Sequence, residues 1–160
     1  MIRSFAALFF IFGLAVSAYA QKIAIDPHAP AYQNARFGFS LSWEPGNYTV
    51  IEADNGDGIT VTDGKGLLME AYGALDPRVS DVSREDFFAQ ATKRPKAAYT
   101  RINRQQGWYV LSYVENGIIY YTKQFYHQDH WPTLHFEYPE AKKQAYAPLV
   151  KKAVSSFKPF

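Results

Sequence analysis

The chain has 160 residues, with 17 Lys and Arg against 15 Asp and Glu, a net charge of +2 that gives no whole-molecule reason to expect a polyanion partner. Cysteine is absent, which excludes disulfides, thiolate metal sites, a cysteine nucleophile and a lipid on an N-terminal cysteine. The 12 Tyr, 12 Phe and 3 Trp suit a sheet-rich core with amphipathic rings at its margins.

Arg3, the apolar run "FAALFFIFGLAV" and Ala18-Tyr19-Ala20 form the three parts of a secretory signal peptide, with cleavage expected after Ala20 and a bacterial periplasm as the expected destination. A transmembrane anchor needs roughly 20 apolar residues, and polar "QKIAIDPHAP" follows too soon. The mature chain of 140 residues then carries 16 Lys and Arg against 15 acids, and it is long enough for a core without staples. Residues 21–34 contain two prolines and no sustained period, which predicts a leader lying on the surface, followed by a single domain over 35–160.

"ARFGFSLSWE" alternates strictly: Phe37, Phe39, Leu41 and Trp43 share one face, which predicts a half-buried strand. "YTVIEA" predicts a short second strand, and "GITVTD" and "LLMEAYG" around "DGKG" predict a hairpin. Ser83 reads as a helix N-cap with Asp86 at the third helical position, and Phe87, Phe88 and Ala91 give that helix one apolar side until Pro95 closes it. Four strands follow, "KAAYTRIN", "GWYVLSYVE", "GIIYYTKQFYH" and "TLHFEYP", with Asn116-Gly117 as a two-residue hairpin signal. From Glu140 to Phe157, Ala141, Ala145, Leu149, Ala153, Val154 and Phe157 predict an amphipathic helix. Pro148 predicts a kink near Tyr146 or a fresh helix starting at the proline. The sum is an α+β domain: a twisted, mostly antiparallel sheet with helices on opposite faces.

The order of landmarks, "RFGFSLSWEPG", "NGDG", "DGKG", "GWYVLSYVENGIIYYTKQFY" and "FEYP" leading into "YAPLVKKAVSSFKPF", resembles a group of small periplasmic proteins of Gram-negative bacteria whose layout looks like the PsbP-like sandwich. The resemblance runs from about Arg36 to the C-terminus and rests on turns and core aromatics. Proteins of that fold, including the extrinsic PsbP protein of photosystem II and secretion-associated chaperones, act mainly as binding and assembly modules. The resemblance therefore implies a non-catalytic accessory module, with an inhibitor or immunity-type protein as a narrower variant. It carries over no catalytic residue and implies no cofactor.

Candidate chemistry is sparse. "EADNGDGITVTDGKG" resembles a calcium loop, but an EF-hand needs oxygen ligands at positions 1, 3 and 5, glycine at 6 and Glu at 12. With Gly58 at position 6, Ala53 falls at 1 and Gly64 at 12; with Asp54 at 1, Ile59 falls at 6. Two tight turns account for every residue, because Asn-Gly and Asp-Gly tolerate positive φ. His127, Asp129, His130, His135 and Glu137 offer imidazole and carboxylate for zinc or nickel, which supports an alternative as a metal-binding protein or metal-dependent hydrolase. A polar hairpin tip is the plainer reading, because alternation separates His135 from the turn residues.

No serine stands in a Gly-x-Ser-x-Gly turn, and no Gly-rich loop opens a helix. Glu85 and Asp86 are explained by the helix N-terminus. Lys93, Arg94, Lys96, Arg101 and Arg104 make the most basic segment, suited to an acidic protein or another anionic envelope component; export argues against nucleic acid. Charge runs of this kind also occur simply as solvated surface. Trp131 is a candidate interaction anchor that serves equally well as a cover for the core.

Overall fold

Turn chemistry fixes the chain reversals. Asn116 (φ 50°) and Gly117 (φ 74°) both take left-handed backbone, the requirement of a two-residue hairpin turn. They join β7 (Trp108–Glu115) to β8 (Ile118–Phe125) with Glu115 opposite Ile118. In the computed structural model, which describes residues 25–73, 82–90, 99–127 and 130–160, the other strands are β1 (Ala31–Asn34), β2 (Phe39–Ser42), β3 (Thr49–Glu52), β4 (Gly58–Thr62), β5 (Leu68–Tyr72), β6 (Tyr99–Asn103), β9 (Thr133–Pro139) and β10 (Lys158–Pro159).

Seven strands form one antiparallel sheet in the order β3-β4-β5-β9-β8-β7-β6. A second, three-stranded sheet has the order β1-β2-β10. Among the described residues two helices accompany them, α1 (Arg84–Gln90) and α2 (Lys143–Ser156), the latter entered through a 3-10 turn at Glu140–Lys142. This is the expected α+β, antiparallel architecture.

The large sheet has a core on each face. On one side Ile59, Val61, Met69, Ala71, Ile119, Phe125, Leu134, Phe136 and Tyr138 meet β2 and α2. Phe37, Phe39, Leu41 and Trp43 are all buried there, as their alternation predicts. On the other side Phe87 and Phe88 of α1 pack on Tyr109 and Leu111 of β7. The cap of α1 follows the sequence reading: the Asp86 amide donates to Ser83 Oγ at 3.1 Å, and Ser83 Oγ donates to Asp86 Oδ2 at 2.8 Å. Ala91 and Pro95 lie outside the described residues.

Three expectations are corrected. The segment read as a leader ends in a strand: Ala31–Asn34 pairs with β2, Tyr32 opposite Leu41. No fresh helix begins at Pro148, because α2 runs continuously from Lys143 to Ser156 through it. Burial of Tyr146 and Leu149 on either side offsets the hydrogen bond that the proline removes. The buried stripe of α2 is Tyr146, Leu149 and Ala153, continued by Phe157, whereas Ala141 and Ala145 are exposed.

Among the described residues a cation lies inside. Lys123 of β8 is buried, and its ammonium donates to the carbonyls of Val154 (3.0 Å) and Phe157 (3.2 Å) at the end of α2. Burial lowers its pKa to about 8. The rings of Trp108, Phe125 and Phe157 surround it with π-faces at 5.5, 4.9 and 6.0 Å. A cation beside the C-terminal carbonyls of a helix complements the dipole, so Lys123 fastens α2 to the sheet.

Candidate functional site

The loop that resembles a calcium motif is spent on structure. Arg36 donates to the Asn55 carbonyl at 2.6 Å and to Asp57 Oδ1 at 2.8 Å, while Asn55 Nδ2 donates to Asp57 Oδ2 at 2.6 Å. Gly56 (φ 70°) and Gly64 (φ 64°) take the left-handed backbone that the turn reading requires. Gly58 has a different reason: a Cβ there would stand 2.0 Å from the Ala71 carbonyl oxygen, so β4 and β5 approach too closely for any side chain.

The second turn is also a fastening. Asp63 Oδ1 accepts the amides of Lys65 (2.8 Å) and Leu67 (3.0 Å), and Oδ2 accepts the Tyr146 hydroxyl of α2 at 2.6 Å. Burial raises the Asp63 pKa, but these bonds and the nearby Lys142 ammonium outweigh it and hold the carboxyl below its ordinary 3.8. Its contribution is thus complete above pH 3.8 and is lost as pH falls through the depressed value. Asp63→Asn is expected to cost about 1–2 kcal/mol at neutral pH. In urea melts across a pH series, the gap to wild type should close below about pH 4; a gap independent of pH would contradict this assignment.

The histidines separate. His130 is buried, its Nε2 lies 3.0 Å from the Phe37 carbonyl oxygen, and its ring stacks near that of exposed His127 at 4.1 Å. His135 projects instead from the opposite face of β9, between Thr122 Oγ1 (2.9 Å) and Glu137 Oε1 (3.1 Å). Alternation along β9 is the cause, since Leu134 and Phe136 take the core side. Asp129 lies outside the described residues, and among the described residues no three His, Cys, Asp or Glu side chains gather as metal ligands. Trp131 takes the cover position: its indole meets the Phe87 ring at 4.8 Å and closes the core beneath α1.

The basic segment reaches the end of the sheet. Lys93, Arg94 and Lys96 lie outside the described residues, whereas Arg101 and Arg104 are exposed at the terminal strand β6 and its turn. The turn is rigid: Asn103 Oδ1 accepts the Gln106 amide at 2.9 Å, Gln106 Oε1 accepts Trp108 Nε1 at 2.9 Å, and the Gly107 carbonyl accepts the Tyr126 amide at 2.7 Å. The two arginines lie on opposite faces of the sheet. Arg101, opposite Val110, stands 5.6 Å over the Trp108 ring, and Arg104 stands 4.8 Å over Phe88 of α1.

Arg84 and Tyr99 belong to this corner and escape the sequence reading. Arg84 opens α1, where the helix dipole disfavours a cation, and its guanidinium donates to the Arg104 carbonyl. That misplaced charge was the available signal. Tyr99 is 59% exposed on the same face as Arg101. The ion pairs of the described residues are Arg36–Asp57, His135–Glu137 and Lys152–Glu44, so among those residues no carboxylate neutralises Arg84, Arg101 or Arg104. Such a corner attracts anions and holds them by charge and by the planar guanidinium donors.

Neither a family model nor a curated protein matches the sequence. Among solved structures, the solution structure of cyanobacterial PsbP (CyanoP) from Synechocystis superposes with a TM-score of 0.59, covering 92% of this chain and all of that one, at 15% identity. The fold is PsbP-like. At this identity the likeness concerns the fold alone, and within that PsbP-like frame the arginine corner occupies one end of the large sheet.

Proposed function

We propose that the protein is an exported, non-catalytic accessory module that holds an acidic protein or other anionic envelope component at the β6 corner. The carrying observation is the set of three guanidiniums, Arg84, Arg101 and Arg104, with no neutralising carboxylate among the described residues. A charge-rich corner on a rigid turn suits recognition, because its partner meets groups already positioned. The signal-peptide pattern supports a periplasmic setting. The PsbP-like fold is in keeping with the binding-module role that the sequence resemblance implies.

The test is capture from envelope extracts with wild-type protein and with Arg101→Glu/Arg104→Glu. Recovery of a defined acidic component should fall by about tenfold or more in the variant, equivalent to ~1.4 kcal/mol or more. Recovery that is equal in both, or absent in both, contradicts the assignment.

A further inference from the structure

We propose that the protein pairs with a second copy of itself through β1, the outer strand of the three-stranded sheet, so that the two small sheets become continuous across a two-fold axis. The inference is independent of the arginine corner, which belongs to the other sheet. Hydrogen bonding shows which backbone groups of β1 are spent. The Pro30 carbonyl accepts the Trp43 amide at 3.1 Å, and the register continues with Tyr32 opposite Leu41 and Asn34 opposite Phe39. Bonded and non-bonded pairs alternate along an antiparallel ladder, so Ala31 and Gln33 turn their N–H and C=O groups away from β2. The other side of β2 has the matching phase: Ser42, opposite Ala31, gives its amide to Ser156 Oγ at 2.9 Å and accepts that hydroxyl on its carbonyl at 2.8 Å. Ala31 and Gln33 are exposed, and among the described residues nothing bonds to their outward backbone groups.

A second copy of β1 fits this edge. Exposed edges are ordinarily guarded by a charge or a proline within the strand, and β1, Ala-Tyr-Gln-Asn, has neither. Antiparallel pairing about a dyad at Tyr32 sets Ala31 of each copy opposite Gln33 of the other, and every outward N–H and C=O of these residues then has a partner. Long Gln33 meets short Ala31, so the side chains do not collide. Beyond Ala31 lies a shallow trough of about 470 Å³, lined by Ser40, Ser42, Ser155 and Lys158, which receives the glutamine amide. Charge does not oppose the contact: Lys158, on β10, stands two strands behind β1 in each copy, so the two ammonium groups are roughly 24 Å apart. A two-fold contact of this kind is closed and stops at the dimer.

The chain has no cysteine, so an introduced thiol reports on this contact alone. Ala31→Cys and Gln33→Cys of the mature chain are oxidised separately and as a mixture. In the proposed register position 31 of one copy lies ~5.5 Å, Cα to Cα, from position 33 of the other. Like positions are diagonal neighbours roughly 8 Å apart, past the ~7 Å reach of a disulfide. The mixture should therefore give a disulfide-linked dimer and each variant alone almost none. In sedimentation the wild type should double in mass as its concentration rises from about 1 μM to 1 mM. Gln33→Pro removes an outward amide that the fold does not use, so it should stay monomeric with its thermal midpoint unchanged. If that variant folds poorly, the cysteine pair still decides. Equal cross-linking of the separate and mixed variants, or a wild type that remains monomeric throughout, would overturn the inference and leave the arginine corner untouched.

Discussion

Gly58→Ala is expected to destabilise the protein by ~3 kcal/mol or more, although it adds a single methyl group. Glycines in hairpins are usually explained by positive φ, and Gly64 (φ 64°) illustrates that: no atom lies within 4 Å of its Cβ position, so substitution there costs only backbone strain. Gly58 is the reverse. Its Cβ would lie 2.0 Å from the Ala71 carbonyl oxygen, 2.7 Å from Tyr72 Cα and 2.8 Å from Tyr72 Cβ. These are mostly backbone atoms of the paired strand β5, in register with Gly58 opposite Tyr72. Rotamer changes cannot relieve the clash, so β4 and β5 must separate or slip. Denaturant unfolding of Gly58→Ala beside Gly64→Ala should show the former as much the less stable; equal losses would contradict the close-approach explanation.

Phe87→Ala is expected to cost ~3–5 kcal/mol, the range for deleting a fully buried aromatic side chain. The Phe87 ring meets Phe88 at 5.1 Å, Tyr109 at 4.9 Å, Tyr126 at 5.5 Å and Trp131 at 4.8 Å. It is thus the centre of the core that holds α1 to the sheet. The second core is small, so loss of Phe87 should release α1 before the main core melts. Released α1 would carry away Phe88, under Arg104, and Arg84, which binds the Arg104 carbonyl. Two readouts follow: a red shift in fluorescence as Trp131 meets water, and weaker binding at the β6 corner. A variant that keeps wild-type binding while α1 is loosened would show that the helix does not organise the corner.

The sequence specifies its local structure more directly than its distant pairings, for physical reasons. Asn116-Gly117 specifies its turn through its own backbone preferences, and the alternation of Phe37, Phe39, Leu41 and Trp43 specifies which face is buried. What β2 pairs with is another matter. Its partners are Ala31–Asn34, in a stretch without a clear period, and Lys158–Pro159, more than a hundred residues away. Such pairing depends on the whole core and leaves no mark in a dipeptide. The cost of Pro148 is local, whereas the burial that offsets it is tertiary, so the helix continues through it. His127, His130 and His135 lie close in sequence, yet strand alternation sends His135 to the far face. Arg101 and Arg104 were legible as charge. Their separation to opposite faces, and the arrival of Arg84 from α1, required the fold.

In the proposed function the β6 corner is where the protein meets its partner. The direct measurement is photo-crosslinking in cells with benzoylphenylalanine in place of Tyr99, which is exposed beside Arg101, and in place of exposed Ile51 at the opposite end of the sheet. One discrete adduct is expected from position 99, lost when Arg101→Glu and Arg104→Glu are added, and none from position 51. Adducts of equal yield from both positions, or an adduct at 99 that is indifferent to the arginines, would contradict it.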